Sequence, residues 1–431
     1  MKLVEGFSKL SKKEKIEFLT SNYLNEFSEA EQILKQYLNQ DGKLQRLHDE
    51  FIENTLTNFY LPFGVAPNFT INNKNFVIPM AIEESSVVAA AAKAAKFWGQ
   101  RGGFKAQVLG TQKVGQVHFT YAGNETDLTK LIKQIQPDFK AAVKSITKNM
   151  EKRGGGINKI SLRNKTTELA NYYQLHCTFE TKDAMGANFI NSCLEEFAQV
   201  LKEKAALLLP GKLEVIMSIL SNYVPNCLVK AEVSCPVIEL GKNRDEAEKY
   251  AHKFIQAIQI AEIEPYRAVT HNKGIMNGID AVVLATGNDF RAVEAGVHAF
   301  ASKEGRYKSL THAKIENDEF KFWIEIPLAL GTVGGLTSLH PLVKLALALL
   351  QHPSAEELMK IVAVAGLAQN FGAVNSLVTT GIQQGHMKMH LMNILNQFEA
   401  NLEERQQAVD YFKSNTVTHS SVVDFLHSIR S

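Results

Sequence analysis

Residues 172–180, YYQLHCTFE, alternate in side-chain character as a half-buried β-strand does. The segment DAMGAN at 183–188 follows almost at once, and its Asp, Gly and Asn are common at the start of a helix. Such a helix start is either simply capped or offers backbone N–H groups and the positive helix end to an anion. From these residues alone, the two interpretations are equally open.

The sequence around this stretch predicts a small α+β unit. QVHFTY at 116–121 indicates a strand, and a lysine-rich amphipathic helix follows it, broken by Pro137 and ending at Gly154-Gly155-Gly156. LEVIMSIL at 213–220 indicates another strand. The order strand, helix, strand, helix, strand is typical of an α+β unit inserted in a larger domain. The chain has no G-x-G-x-x-G after a strand, so a Rossmann site is not predicted.

The flanking sequence predicts a larger, helix-rich part. Capping boxes are expected at Ser11 with Glu14, at Ser28 with Glu31, and at Ser354 with Glu357 before a long apolar helix that reaches about Thr379. The other expected elements are a hairpin at 61–80, a buried Ala-rich helix at 85–98, a strand at 229–235, a helix at 244–262 and an apolar strand, AVVLAT, at 281–286.

Composition excludes several classes of protein. The 431 residues are 45% hydrophobic and 21% charged, with a net charge of +2 and acids and bases mixed along the chain. We therefore expect no nucleic-acid partner and no membrane-surface partner. No apolar stretch reads as a membrane span, and the lysine-rich start lacks the apolar core of a secretory signal. The four cysteines have no C-x-x-C spacing, which favours reduced thiols in the cytoplasm over zinc or disulfides.

Polar clusters in apolar or Gly-rich surroundings are the candidate chemical groups, and each has a simpler explanation. Glu83 and Glu84 before an Ala-rich helix are usually a charged first turn. Asp289 after Gly-Asn is usually an N-cap, and Lys273 between Asn and Gly is usually a solvated loop lysine. His386 follows a helix and a glycine, which is usually a helix end. No cluster decides the function by itself.

Taken together, the clusters resemble a known family, the 3-hydroxy-3-methylglutaryl-coenzyme A (HMG-CoA) reductases. Three segments of this chain resemble the signature segments of that family: DAMGANFI at 183–190, LGTVGGLT at 330–337 and LVTTGIQQGHMKMH at 377–390. Three others resemble its class II, bacterial branch: PMAIEESSVVAAAA at 79–92, EPYRAVTHNKGIMNGID at 264–280 and LATGNDFRAVEAG at 284–296. The segments occur in the same order over most of the chain, so chance agreement is implausible.

This resemblance implies an α+β fold in which a large helix-rich substrate domain carries an inserted cofactor domain and a C-terminal helical flap. The implied boundaries are residues 1–110 and 218–378 for the large domain, 111–217 for the cofactor domain and 379–431 for the flap. The implied assembly is a homodimer, or a higher oligomer of dimers, whose active site is shared between two chains.

The implied reaction is a four-electron reduction of HMG-CoA to mevalonate and coenzyme A by two NAD(P)H, or its reverse, with no metal. Lys273 matches the cation that polarises the carbonyl, and Glu84 matches the proton donor. Asp289 matches the aspartate that links them. His386 matches the histidine that protonates the departing thiolate once the flap closes.

The resemblance also assigns binding residues. Those expected to contact the substrate are Ser86, Arg267 and Asn277. Those expected to contact the cofactor are Asp183, Met185, Gly186, Asn188 and Asn222. Members of the family that use NAD have an aspartate upstream of the triple glycine, where this chain has Thr147 followed by Lys148. The missing carboxylate and the local positive charge favour NADPH over NADH, although these bases are also what a solvated helix face would carry.

Departures from the family pattern concern packing. ENTLTN at 53–58 stands where a dimer motif is usual, Ser85 replaces a proline, and Leu336 replaces a small residue. Two other functions stay open at this point. One is a CoA-thioester-binding paralogue without activity, which should have lost a reactive residue. The other is a different nicotinamide-dependent acyl-CoA reductase, which usually has a Rossmann fingerprint or a nucleophilic cysteine.

Overall fold

The computed structural model describes residues 4–379 and 391–430. Packing divides the chain into two compact units, Met1–Pro62 and Phe63–Ser431. From residue 4 onward, the first unit contains a short 3-10 helix, Phe7–Lys9, and three α-helices, α1 (Lys12–Asn22), α2 (Ala30–Gln36) and α3 (Gly42–Asp49).

The two capping boxes expected in this unit have different outcomes. Ser11 caps α1 and Glu14 bonds back to the Ser11 backbone, as predicted. The box at Ser28 and Glu31 is wrong, because α2 begins at Ala30 after Glu29, which makes no side-chain capping bond. Ser28 therefore lies one residue too early for its hydroxyl to reach the N3 amide that a capping box requires.

The described residues of the second unit form three antiparallel sheets. A hairpin joins β1 and β2, a four-stranded sheet has the order β3-β8-β10-β9, and another has the order β5-β6-β4-β7. The strands are β1 (Phe63–Ile71), β2 (Lys74–Ala81), β3 (Lys105–Val108), β4 (Lys113–Tyr121), β5 (Gly156–Asn164), β6 (Tyr172–Glu180), β7 (Leu213–Ser221), β8 (Leu228–Pro236), β9 (Thr311–Glu316) and β10 (Glu319–Pro327).

Helices cover these sheets and form the rest of the unit. They are α4 (Val87–Gly99), α5 (Glu125–Gln134), α6 (Gln136–Ala142), α7 (Lys144–Glu151), α8 (Ala187–Leu208), a 3-10 turn (Val237–Leu240), α9 (Arg244–Ile263), α10 (Pro265–Ala285), α11 (Phe290–Ala301), α12 (Leu336–Leu339), α13 (Pro341–Leu349), α14 (Ala355–Val378), α15 (391–397), α16 (Leu402–Tyr411) and α17 (His419–Arg430).

The region between β4 and β7 forms its own layer of sheet and helices. Its element order is β-α-β-β-α-β, with three helices in the first crossover, and α6, α7 and α8 pack together. It has a separate apolar core that includes Phe119, Phe139 and Phe197. Strand β5 was not predicted, because its sequence, GINKISLRN, is mostly polar and lies at the edge of the sheet.

The prediction of a strand at 281–286 is wrong. Residues 281–285 are the end of α10, where Ala281, Val282 and Val283 are fully buried. A helix surrounded by other elements is apolar on all sides, so its sequence has the same run of apolar residues as a buried strand. Lys273 lies in the same helix, so the simpler explanation of it as a loop lysine does not apply.

Helix α14 is the core helix against which α4, α9 and α10 pack. Its capping box, Ser354 with Glu357, is confirmed. Contrary to the sequence prediction, this helix is long and apolar enough to cross a membrane by length and composition, but 72% of its most apolar window is buried inside the protein. Its hydrophobicity is therefore explained by its place in the core.

Candidate active site

A cleft of about 250 Å³ lies where the N-terminus of α4 meets α10 and α14. Its lining includes Glu84, Ser86, Arg267, Lys273 and Asn277. These are all the predicted substrate contacts and two of the predicted reactive groups. Arg267, Lys273 and Asn277 belong to one helix, α10, whereas Glu84 and Ser86 come from the turn between β2 and α4.

The centre of this cleft is a lysine–glutamate pair. Lys273 Nζ donates to Glu84 Oε2 at 2.5 Å, and Asn277 Nδ2 donates to the same oxygen at 3.2 Å. Lys273 and Asn277 reach one carboxylate because residues four apart lie on one face of a helix. The two charged side chains are 60% and 37% exposed, so the pair contributes little to folding stability. It is available to a ligand that enters the cleft.

Ser86 has an unusual backbone conformation at the edge of the cleft. It occupies the N-cap of α4 with φ 74° and ψ −16°, and its side chain makes no capping bond. A non-glycine residue in this left-handed region costs on the order of 1 kcal/mol, which surrounding structure must offset. Strain of this kind is common where a side chain or backbone group is held for a ligand.

Arg267 supplies a second cation to the cleft. Its backbone N–H donates to Glu264 Oε2 at 2.8 Å, which caps α10. Half-burial lowers the pKa of the Arg267 guanidinium, which still remains charged because an arginine starts from so high a value. A partly desolvated guanidinium binds a carboxylate more strongly than an exposed one does.

The structure does not bring Asp289 to the lysine–glutamate pair. Its carboxylate is the N-cap of α11, accepting the backbone N–H groups of Arg291 and Ala292 at 3.1 Å each. Arg291 Nε lies 3.4 Å from the same carboxylate. The structure shows no hydrogen bond or ion pair from Asp289 to Lys273 or Glu84, so the expected link is not formed in this structure. His386 lies outside the described residues.

Five of the predicted cofactor residues lie apart from this cleft, around the N-terminus of α8. Asp183 Oδ1 accepts the backbone N–H of Ala355 at 2.8 Å, and its carbonyl accepts that of Thr332 at 2.8 Å. Asp183 thereby holds the start of α14 and the glycine-rich segment 331–335. This structural role was not predicted, because these partners are distant in sequence.

Two glycines are required by this close packing. Gly186 has φ 93°, and an added Cβ would lie 2.4 Å from Thr181 Cγ2. A Cβ on Gly331 would lie 2.5 Å from the backbone N of Met185. A side chain at Gly186 would collide with Thr181, and one at Gly331 would push segment 331–335 away from segment 183–188, so both glycines shape the surface beside α8.

The N-terminus of α8 is suited to binding an anion. Gly186 is its N-cap and supplies no side-chain acceptor, so the first-turn N–H groups have no side-chain cap. Asn188 and Asn222 are exposed near it, and Met185 and Asn222 line a small apolar pocket. Farther away on α7, Thr147 is 2% exposed whereas Lys148 is exposed. A ligand on the surface can therefore reach Lys148 but not the Thr147 side chain.

The described part of the chain contains no group of three or more His, Cys, Asp or Glu placed to hold a metal ion. Cys177, Cys193, Cys227 and Cys235 are buried free thiols, and burial raises the pKa of each one. A nucleophilic cysteine needs a lowered pKa, so these thiols are not activated nucleophiles.

The sequence matches the hydroxymethylglutaryl-coenzyme A reductase family over residues 12–391. The chain belongs to this family. It is 36% identical to the HMG-CoA reductase of Archaeoglobus fulgidus over 408 residues, which are 94% of this chain and 90% of that protein. It is 35% identical to a probable HMG-CoA reductase of Borreliella burgdorferi, over 85% of this chain and 84% of that protein.

Solved HMG-CoA reductases have the same fold. The class II enzyme of Streptococcus pneumoniae, bound to NADPH in open conformations, is 35% identical with a TM-score of 0.74, and the match covers 98% of this chain and 100% of that one. A second structure of the pneumococcal enzyme gives a TM-score of 0.75 at 34% identity, over 99% of each chain.

Membership of the HMG-CoA reductase family confirms the predicted class of reaction. The chain is an oxidoreductase that reduces HMG-CoA with a nicotinamide cofactor, and its mixture of helices and sheets is that of class II HMG-CoA reductase. An unrelated type of acyl-CoA reductase is thereby excluded.

The polar residues buried behind Arg267 were not predicted from the sequence. The four-residue spacing of Arg267 and His271 would have indicated that both lie on one face of a helix.

Proposed function

We propose that this chain converts HMG-CoA to mevalonate and coenzyme A with two NADPH, and that the cleft around Lys273 is where hydride is transferred. The observation that carries this proposal is the convergence of Lys273 and Asn277 on one oxygen of Glu84 inside a cleft. NADPH, when bound, supplies the hydride for each of the two reductions.

In the first reduction the thioester carbon gains hydride and its oxygen becomes negative. Lys273 donates a hydrogen bond to that oxygen and stabilises the charge. Two donors already meet at one Glu84 oxygen, so the Lys273–Glu84 pair supplies the proton as a unit. The resulting hemithioacetal returns its hydroxyl proton to the Lys273–Glu84 pair as its C–S bond breaks, which leaves mevaldehyde and the thiolate of coenzyme A. His386 gives a proton to this thiolate, which leaves as coenzyme A.

The second reduction uses the same cation and proton source. The aldehyde oxygen is polarised by Lys273, and after hydride addition the alkoxide takes a proton from the Lys273–Glu84 pair. In this proposal the carboxylate of Asp289 couples to the charges of the Lys273–Glu84 pair during the reaction, although in this structure it caps α11.

Substrate and cofactor are bound by different parts of the second unit. Arg267 binds the distal carboxylate of HMG-CoA, while Asn277 and Ser86 bind its polar oxygens. Residues 111–217 form the inserted cofactor domain, with the anionic part of the cofactor at the N-terminus of α8.

Asp183, Met185, Gly186, Asn188 and Asn222 surround the cofactor in this proposal. The positive charge of Lys148, near the ribose phosphate, favours NADPH. The buried Thr147 side chain does not contact the cofactor; this position matters only because it lacks the carboxylate that favours NADH. NADPH is also the cofactor bound in a pneumococcal relative.

The proposed working form is a cytoplasmic homodimer, or an oligomer of dimers, in which residues 379–431 form a flap that brings His386 to the substrate. Four buried free thiols support a reducing compartment. Apolar residues such as Leu391, Leu395 and Leu426 give the described part of the flap its own small core, which supports its movement as one body. The biosynthetic direction is proposed because NADPH is the usual reductant of biosynthesis.

Absorbance at the nicotinamide band tests this function. Purified protein should consume NADPH when HMG-CoA is added, and NADH more slowly. Consumption of NADH at the higher kcat/KM would overturn the cofactor preference only. Tight binding of HMG-CoA without oxidation of either cofactor would identify the chain as the inactive CoA-thioester-binding paralogue.

A further inference from the structure

A buried polar network lies directly behind Arg267. His271 follows Arg267 by one turn of α10, and Arg267 Nη2 lies 3.5 Å from His271 Nδ1. His271 Nε2 is 2.6 Å from Thr311 Oγ1 at the start of β9, and Thr311 Oγ1 is 2.9 Å from Asn370 Oδ1 on α14. His271, Thr311 and Asn370 are each at most 1% exposed.

The direction of every hydrogen bond in this network follows from its charged end. A guanidinium has only donors, so His271 Nδ1 must accept and Nε2 must carry the proton. Nε2–H then donates to Thr311 Oγ1, whose own hydrogen goes to Asn370 Oδ1. Asn370 Nδ2 donates in turn to the backbone carbonyl of His271 at 3.4 Å. The network therefore fixes a single tautomer of His271.

The network also anchors α10 to a neighbouring loop. Asn272 Nδ2 donates to the carbonyl of Lys308 at 2.8 Å, and Asn272 Oδ1 accepts the N–H of Leu310 at 3.1 Å. Ser309 Oγ donates to the carbonyl of Thr311 at 2.8 Å. Three elements, α10, α14 and β9, are thus joined by buried polar bonds immediately behind the cleft.

The chemistry of the acceptor matters for the ligand. Burial, with the nearby charges of Arg267 and His312, lowers the pKa of His271 to about 3, so the ring is neutral. A carboxylate in this position would orient the guanidinium equally well but would neutralise its charge. A neutral imidazole holds Arg267 and leaves its full positive charge for an anion in the cleft.

We propose that His271, oriented by Thr311 and Asn370, is a positioning residue that sets the direction of the Arg267 guanidinium toward the distal carboxylate of the substrate. The proposal rests on the function proposed above, in which Arg267 binds that carboxylate. It assigns to Thr311, which does not line the cleft, an effect on affinity for HMG-CoA.

A double-mutant cycle tests this role. Thr311→Val removes the hydroxyl but keeps the shape, and Thr311→Ser keeps the hydroxyl. Losing one buried hydrogen bond should raise the KM for HMG-CoA about five- to tenfold, with kcat and the KM for NADPH within about twofold of wild type. Thr311→Ser should restore the KM. In an Arg267→Gln background, Thr311→Val should have no further effect.

An equal rise in KM in both backgrounds would overturn the proposal, because it would show that Thr311 acts on the fold and not through Arg267. If Thr311→Val lowers the melting temperature too far for kinetics, His271→Phe is taken through the same cycle, with the same expected non-additivity. Wild-type protein that fails to reduce HMG-CoA would instead refute the proposed function, so the two failures are distinguishable.

Discussion

Lys273 and Glu84 are 189 positions apart in the chain and 2.5 Å apart in the fold. Their residue types and surroundings were visible in the sequence, but only the resemblance to a family joined them. The structure adds the physical reason: Lys273 and Asn277 project from one face of α10 toward the turn that precedes α4. The chemistry of this site therefore depends on how that turn and that helix are held.

Replacing Lys273 tests its role in stabilising the oxyanion. Lys273→Met keeps the length of the side chain and removes its charge, so turnover should fall about 100- to 1,000-fold or more, the effect of losing an oxyanion donor. Lys314→Met, at an exposed position on β9, is the matched control and should leave turnover unchanged. Near-normal turnover in a folded Lys273→Met protein would remove this lysine from the mechanism.

Asp289 has a capping role in this structure and a catalytic role by resemblance, and two substitutions separate them. Asp289→Ala should lower the free energy of unfolding by about 1 kcal/mol, because the N-cap of α11 is lost. Asp289→Asn keeps the cap, so it should unfold like wild type, but it should lose turnover because the proposed coupling to the Lys273–Glu84 pair needs the charge. Thermal melts and steady-state rates of both proteins distinguish the two roles. A fully active Asp289→Asn enzyme would show that Asp289 has the capping role alone.

At the scale of elements, sequence patterns predicted best where one face was polar. The hairpin at 61–80, the strand at 172–180 and the capping box of α14 were found because periodicity or local side-chain bonds define them. The end of α10 was mistaken for a strand because burial on all sides removes the period, and β5 was missed because an edge strand needs few apolar residues. Long-range contacts such as that of Asp183 with Ala355 leave no local signal.

The junction of α10 and α11 predicts a pH effect on stability. Burial, a hydrogen bond with the carboxyl of Glu294 and the charge of that carboxyl raise the pKa of Asp280 to about 8. A carboxyl whose pKa is higher in the folded state stabilises the fold when protonated, and this stabilisation is lost as pH rises from about 4 through about 8. Alkaline pH should therefore weaken the packing of α10 against α11.

Thermal melts of Asp280→Asn measure this effect. Because the amide cannot ionise, the melting temperature of the variant minus that of wild type should be larger at pH 9 than at pH 5. Asp424→Asn, on the exposed face of α17, is the matched control and should follow wild type at both values. A constant difference between Asp280→Asn and wild type from pH 5 to pH 9 would contradict the raised pKa.

At the scale of the whole molecule, the cleft and the N-terminus of α8 belong to separate groups of residues. The proposed homodimer joins the substrate cleft of one chain to the cofactor residues of another. Mixing Lys273→Met subunits with Asn188→Ala subunits should then restore part of the activity, since some mixed sites contain neither change. No recovery after verified subunit exchange would indicate that each chain builds its own complete site.

The most direct measurement is the stoichiometry of a completed reaction. With limiting HMG-CoA and excess NADPH, absorbance at the nicotinamide band, thiol titration and product analysis are read from the same sample. The account predicts two NADPH oxidised for each coenzyme A released and each mevalonate formed, because one cleft serves both reductions. Release of coenzyme A with a single NADPH and accumulation of mevaldehyde, or no oxidation at all, would contradict it.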